Sequence, residues 1–265
     1  MIMVSAIIAG FAVLFLAIPF SMVGQGGGST YVPVLVAAGM EFHEAATTSL
    51  FMIMLASVAA SLVFGRKKTI DWRLLLAIIP FAIAGSFIGG YLAQSIDTEI
   101  LKILFAAVLG VAAFFMLRPV TEGQCPAFIP HRGRWARSIG EYRYEVPIGL
   151  LIPATALAGF VAGLIGVGGG LFLLPMLVLL FGCPTRISIG ISSTYVGIIA
   201  LPGFIGHLAG GSPFNFWAAL PLAGAAFIGA TLGPMLSLKF KVARLRTILA
   251  VVLIGLAGWM LINIF

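Results

Sequence analysis

The feature that most constrains this chain is where its charges are not. No acidic or basic side chain precedes Glu41, and uncharged stretches then cover 45–65, 74–96, 103–117, 146–185, 187–238 and 247–265. Most match or exceed the roughly 20 residues that an α-helix needs to cross a hydrocarbon core. Charged residues make up 9% of the 265, against about 25% in a soluble domain, and mean hydropathy is +1.17. The class is an all-α polytopic membrane protein. A transmembrane barrel is excluded, because its lumen-facing positions would alternate as polar residues. The apolar start, Met1 to Phe20, lacks a basic flank and a small-residue cleavage site, so it reads as the first membrane segment rather than a cleaved signal. Cys125 and Cys183 are too few for a disulfide framework and read as thiols. The net charge of +7 comes from basic residues in short loops between spans, where orientation in the bilayer explains them without nucleic acid.

The chain also repeats itself. Gly24-Gln25-Gly26-Gly27-Gly28 leads to Pro33 as Gly166-Val167-Gly168-Gly169-Gly170 leads to Pro175, at an offset of 142. Thr48-Ser49 matches Ile191-Ser192 at 143; Gly85 and Gly89 match Gly229 and Gly233, and Leu101-Lys102 matches Leu245-Arg246, at 144. Two units, 1–118 and 146–265, follow, with 119–145 as a cytoplasmic linker loop. Each unit has a first helix (about 4–23 and 149–165) ending at the glycines, and a short helix (about 31–40 and 172–182). Three spans complete it: about 45–64, 74–95 and 99–117, then 187–207, 215–237 and 246–264. Ten or eleven residues at about 1.5 Å each reach only half the hydrocarbon thickness, so the short helices are the odd elements.

The basic residues decide orientation. If first and short helices form a re-entrant hairpin, each unit crosses three times more and the second is inverted. Arg66, Lys67, Lys68, Arg73, Arg118, Arg132, Arg134, Arg137, Arg143, Arg186, Lys239, Lys241, Arg244 and Arg246 then share one face, with only Lys102 opposite. In the rival arrangement of two parallel four-span units the division falls to 9 against 6. The positive-inside rule selects two inverted structural repeats, with the central loop in the cytoplasm and both termini outside.

Pairs such as Gly85/Gly89 and Gly229/Gly233 suit close helix packing in lipid. Three adjacent glycines do not, because they point to different sides and weaken a helix by about 1 kcal/mol each relative to alanine. Gly26-Gly27-Gly28 and Gly168-Gly169-Gly170 read as breaks, tolerated only where protein or a water-filled cavity satisfies the backbone. The short helix after each break offers unpaired N–H groups and the positive end of its dipole, so two breaks meeting at the midplane make an anion site. Pro33 and Pro175 are expected near the first turn, where proline costs least. Gln25, Ser29 and Thr30 flank the first break; Thr47, Thr48 and Ser49 open the next span, and Ser192, Ser193, Thr194 and Tyr195 open its counterpart. These uncharged donors suit an oxyanion, although any single hydroxyl can instead bond back to its own helix. The candidate substrate-binding set is Gln25, Gly26, Gly27, Gly28, Ser29, Thr30, Thr48, Ser49, Gly168, Gly169, Gly170, Ser192, Ser193 and Thr194, with no catalytic residue, metal ligand or cofactor.

Two Gly-x-Gly-Gly-Gly-x-x-x-x-Pro elements, each followed by a small, hydroxyl-rich span start, resemble the TauE/SafE sulfite exporter family, also called the 4-toluene sulfonate uptake permeases. The resemblance covers nearly the whole chain and implies secondary transport of sulfite, organosulfonates or related sulfur anions across the bacterial inner membrane. Thr47 stands where the family pattern has glycine, and Ile191 where it has threonine, which bears on the detailed substrate. The partners implied are a small anion and the lipid bilayer, and a homo-oligomer is compatible.

All eight acidic residues, Glu41, Glu44, Asp71, Asp97, Glu99, Glu122, Glu141 and Glu145, lie in loops or at span ends. His207 is the one deep titratable candidate, and as an interfacial histidine bonded to a carbonyl it has a plainer explanation. H⁺ coupling, Na⁺ coupling through broken-helix carbonyls and an uncoupled path all remain open. The alternatives are an anion channel, a carrier for another oxyanion or carboxylate, and an intramembrane enzyme. The sequence has no His-Glu-x-x-His helix, and Ser192 or Ser193 would lie roughly 20 Å along the helix from His207. That leaves an enzyme without a nucleophile–base pair.

Overall fold

A computed structural model describes residues 2–118, 134–237 and 242–262. Glu122, Cys125, Arg132, Lys239 and Lys241, and most of the expected linker, lie outside the described residues. The helices are α1 (Ile2–Met22), α2 (Gly28–Ala37), α3 (Phe42–Arg66), α4 (Trp72–Ala93) and α5 (Thr98–Leu117), then α6 (Ile148–Ile165), α7 (Gly170–Pro175), α8 (Thr185–Ala209), α9 (Phe216–Leu236) and α10 (Val242–Ile262). Among the described residues, seven helices are long and apolar enough to cross a membrane. Their outer faces carry Leu62, Leu76, Ile88, Leu157, Trp217 and Val251 exposed, the surface a bilayer covers and water would not. The chain is an all-α polytopic membrane protein.

The expected linker is not all loop. Its second half forms a hairpin of β1 (Arg134–Ile139) and β2 (Tyr142–Pro147), antiparallel, turning at Gly140. It is tied to the start of α4 by Asp71, the α4 N-cap. Asp71 Oδ1 accepts the amides of Arg73 and Leu74 at 3.1 Å, and Arg137 binds both carboxylate oxygens at 2.7 and 2.9 Å. The Tyr144 hydroxyl donates to Oδ2 at 2.6 Å. Burial pushes the Asp71 carboxyl up, but the hydrogen bonds from Arg137, Tyr144 and the Leu74 amide outweigh it and hold Asp71 below the usual carboxylate range.

The packing repeats under the offsets seen in the sequence. A methyl on Gly85 would overlap Ala156 O and one on Gly89 would overlap Phe160 O; likewise Gly229 approaches Leu14 O, and Gly233 approaches Ile18 O. Each second pair is the first moved by 144 on one helix and 142 on the other. Asn215 caps α9 at the position matching Asp71 on α4, accepting the Trp217 and Ala218 amides at 3.1 and 3.2 Å.

These contacts also give directions. α4 runs parallel to α6 (Gly85 by Ala156, Gly89 by Phe160) and to α8 (Gly206 by Phe87, Gly210 by Tyr91). Since α6 and α8 point the same way, the chain between them returns to the side where α6 began. α9 is parallel to α1 by the glycine contacts above, and to α3 through Phe51–Phe216 and Lys67–Pro234. Both glycine-broken segments are therefore hairpins that go in and come back. α3 and α8 run antiparallel, with Thr69, Ser57, Phe51 and Thr47 meeting Gly190, Gly197, Phe204 and His207 in turn.

The short helices begin earlier than expected, on Gly28 and Gly170 themselves. Pro33 therefore falls in the second turn of α2. Pro175 ends α7, and with no N–H to give it is followed by a π-turn over Met176–Leu180 closed by Phe181 N to Met176 O at 3.2 Å. The basic residues gather as the helix ends do. Lys67 Nζ donates to Pro234 O at 2.7 Å. Burial and the nearby Arg186 lower the ammonium's pKa. Arg137 is held by Asp71 at the start of α4.

Candidate functional site

Both breaks form as the sequence predicts. α1 stops at Met22, and Gly24, Gly26 and Gly27 have φ of 73°, 67° and 79°; α6 stops at Ile165, and Gly166, Gly168 and Gly169 have φ of 77°, 80° and 73°. Side chains strongly disfavour this left-handed region, and two or three such residues in succession end a helix. The ends are not sealed by backbone pairing. Among the described residues, the amides of Gly26, Gly27, Gly28, Ser29, Gly168, Gly169 and Leu171 have no backbone acceptor, while Thr30 N and Gly170 N are taken by Gly27 O and Gly168 O at 3.0 Å.

The two breaks lie against each other. A methyl on Gly28 would overlap Val167 O, and one on Gly170 would stand 3.1 Å from Gln25 Cα. Gly26 and Gly168, counterparts at 142, both face Ile53 and Val196, counterparts at 143, at 3.1–3.8 Å from the position of a Cβ. Two pairs of sequence counterparts thus meet at one point between the breaks.

The expected hydroxyls divide by role. Ser49 Oγ crosses to donate to Gly166 O at 2.9 Å, and Ser192 Oγ crosses to donate to Gly24 O at 2.9 Å, with Gly170 O at 3.4 Å. Each copy thus satisfies a carbonyl freed by the other's break, and these two hydroxyl hydrogens are not available to a solute. Thr30 donates to Gly27 O at 2.8 Å, and Thr194 bonds back to Gly190 O at 3.1 Å. Thr48 is buried. Ser29 Oγ, Ser193 Oγ and Gln25 Oε1 are buried without a partner, while Gln25 Nε2 is 4.0 Å from Met116 Sδ. A buried polar atom left unmatched costs about 1–3 kcal/mol, which favours a ligand or water at these three.

His207 has the plain role. It is fully buried, with Nε2 at 2.7 Å from Gly163 O, and Nδ1 at 3.2 Å from Thr47 Oγ1 and 3.1 Å from Ser212 Oγ.

Two residues passed unnoticed in the sequence, and a third was given a different role. Ser57 is fully buried with an unpartnered Oγ, 3.1 Å from where a Cβ on Gly26 would stand. Its counterpart at 143 is Ala200, so a search for repeated hydroxyls passes over it. Tyr31, one turn into α2, lays its ring over Gly27 with its hydroxyl unpartnered. Arg246, grouped with the orienting basic residues, is instead buried, 9% exposed, beside Val23, Met116 and Thr185. Its guanidinium donates to Phe115 O at 3.1 Å and has no acidic partner among the described residues.

The family model for sulfite exporter TauE/SafE matches residues 6–260. Among curated proteins, the chain is 26% identical over 253 residues to the probable membrane transporter protein YunE of Bacillus subtilis, covering 88% of this chain and 89% of that one. It is 26% identical over 266 residues to a probable membrane transporter protein of Methanocaldococcus jannaschii, covering 92% and 91%. It is also 26% identical over 253 residues to the probable membrane transporter protein YfcA of Escherichia coli, covering 94% and 88%. No solved structure matches the chain.

Proposed function

The chain belongs to the TauE/SafE sulfite exporter family of membrane transporters, and from that premise we propose that it is a secondary carrier exporting a small sulfur-containing anion such as sulfite or an organosulfonate. The solute binds between the two glycine breaks and is released by alternating access. The observation that carries this reading is the pair of breaks set against each other, with amides of Gly26 to Ser29 and of Gly168 and Gly169 unclaimed by backbone. Such amides complement a sulfonate or sulfite, which accepts hydrogen bonds and donates few or none. Gln25, Ser29, Ser193 and Thr48 line the approach; Ser49 and Ser192 hold the breaks in shape. Arg246, buried without an acid, supports a negative solute.

The antiparallel run of α3 against its counterpart α8, and the swapped glycine contacts, support two inverted repeats, 1–118 and 146–265. The gathering of Lys67, Arg137 and Arg186 about the helix ends supports a cytoplasmic placing of that face in the inner membrane, with both termini outside.

The test is counterflow of labelled sulfite and toluene sulfonate in proteoliposomes. The reading expects saturable flux stimulated by unlabelled solute on the opposite side. Flux that neither saturates nor trans-stimulates would make the protein a channel, and its absence for every sulfur oxyanion would reject the substrate class.

A further inference from the structure

The serines that both copies carry at the breaks are spent on the fold. Ser49 and Ser192, counterparts at 143, each donate across to the other copy's break. Polar side chains that one copy alone carries are left idle. Gln25 Oε1 and the hydroxyls of Ser29, Tyr31, Ser57 and Ser193 have no hydrogen-bond partner, in residues 1% exposed or less. Shifted by 142 at the breaks and by 143 between α3 and α8, these positions become Val167, Leu171, Leu173, Ala200 and Leu50. Every counterpart is aliphatic and buried.

The idle groups gather at the first break. Gln25 and Ser29 belong to it, and a methyl on Gly27 would overlap the Tyr31 hydroxyl and ring. Ser57 Oγ stands 3.1 Å from the position of a Cβ on Gly26. Ser193 lies on the stretch of α8 packed there, between Ile189, which faces Gly24, and Val196, which faces Gly26. At the second break the matching neighbours have nothing to give. Gly169 faces Ile199 and Tyr195, and the Tyr195 hydroxyl already donates to Thr155 O at 2.8 Å. The backbone differs in the same sense. Among the described residues, the amides from Gly26 to Ser29 form an unbroken run without a backbone acceptor, whereas the second run is interrupted where Gly168 O takes Gly170 N at 3.0 Å.

We propose, resting on the carrier reading, that the solute's charged group is anchored at the first break, with Tyr31 and Ser57 as contact residues beside Ser29 and Ser193. The second break supplies amides and an aliphatic wall but no side-chain donor. An oxyanion accepts hydrogen bonds, and hydroxyls and amides serve it without burying a charge. A half-turn of the Gln25 amide gives up only the 4.0 Å contact with Met116 Sδ and turns its NH₂ towards the same group. Selectivity is then set at the first break and at the α3 and α8 residues against it, not by two equivalent halves. Idle hydroxyls also carry a signature. Removing one takes no bond from the empty protein and relieves an unmatched polar atom, yet it takes a donor from the bound solute. A hydroxyl that holds the fold would do the reverse.

The experiment follows thermal unfolding of purified full-length protein in detergent during titration with sulfite or toluene sulfonate. Tyr31→Phe and Ser57→Ala are each expected to raise Kd about tenfold, the loss of one hydrogen bond to a charged group, while the solute-free midpoint stays or rises. Leu173→Met, a change of similar size at the counterpart of Tyr31, is expected to keep Kd within about twofold. Should Tyr31→Phe give no folded protein, Ser29→Ala reads the same break. A wild-type Kd in either hydroxyl variant, or a solute-free midpoint that falls, would overturn the one-sided anchor and leave the carrier reading standing. A Kd raised as much by Leu173→Met would overturn it too. A wild-type midpoint that neither anion shifts would reject the sulfur-anion reading and these contacts with it.

Discussion

Ser49 and Ser192 show how one hydroxyl can decide whether a broken helix is tolerable in lipid. Each gives its hydrogen to a carbonyl that the opposite break has left bare, Gly166 O and Gly24 O. Removing such a donor strands a buried carbonyl at a cost of about 1–3 kcal/mol. Ser192→Ala should therefore lower the thermal unfolding midpoint in detergent, whereas Ser193→Ala, whose hydroxyl has no partner to lose, should keep or raise it. An equal fall in both would remove the structural role assigned to Ser192. Arg246 makes the opposite case. An ionised group buried without a counter-charge destabilises its host, so Arg246→Met should keep or raise the unfolding midpoint while transport falls more than tenfold. If transport persists in that variant, Arg246 plays no part with the solute. The sequence displayed the glycine breaks because three adjacent glycines have no use inside a helix. It hid Ser57 and Arg246, since a lone serine and an arginine near a span end look the same whether they face a solute or a headgroup.

At the scale of elements, the spans were legible because lipid forbids charge over about 20 residues and the chain obeys. The hairpin at 134–147 was not, because a polar linker read alone gives no hint that Arg137 and Tyr144 have a fixed partner at Asp71, more than sixty residues earlier. That carboxylate has a folded pKa below its unfolded one, so its contribution is present above the ordinary value of about 3.9 and is lost as the pH falls through the lower folded value. Asp71→Asn should thus free the hairpin at neutral pH, read as faster proteolysis within 134–147, while the wild type becomes comparably sensitive only below about pH 4. Protection of the variant equal to that of the wild type would detach Asp71 from the hairpin's hold. The glycine ladder between α4 and α6 is stricter. Any side chain on Gly89 meets the Phe160 backbone, which cannot move aside as a flexible side chain would. Gly89→Leu should separate the two helices and abolish folded yield in the membrane, whereas the same change at Gly110, where nothing stands within 4 Å, should be tolerated.

For the whole molecule, offsets of 142 to 144 in the sequence reappear as equivalent contacts in space, from the glycine ladders to the N-caps Asp71 and Asn215. Where the halves differ, they differ along the α3–α8 pair: Ser61, Thr194 and Gly197 lie towards Arg66, and Phe51, Phe204 and Phe216 cluster towards the other end. The proposed orientation rests instead on the basic residues, and under it a cysteine at Lys102 should react with an impermeant reagent from outside while one at Arg186 reacts from the cytoplasm. Labelling of both from one face would reject the proposed inverted repeats.

The anion site between those breaks is most directly tested by titrating the purified protein with sulfite, sulfoacetate, taurine, sulfate, thiosulfate and toluene sulfonate while following thermal unfolding. At least one sulfur oxyanion should bind saturably and stabilise the protein by about 2.7 kcal/mol at a hundredfold excess over its Kd. A cooperative unfolding transition that none of the six shifts would contradict the site.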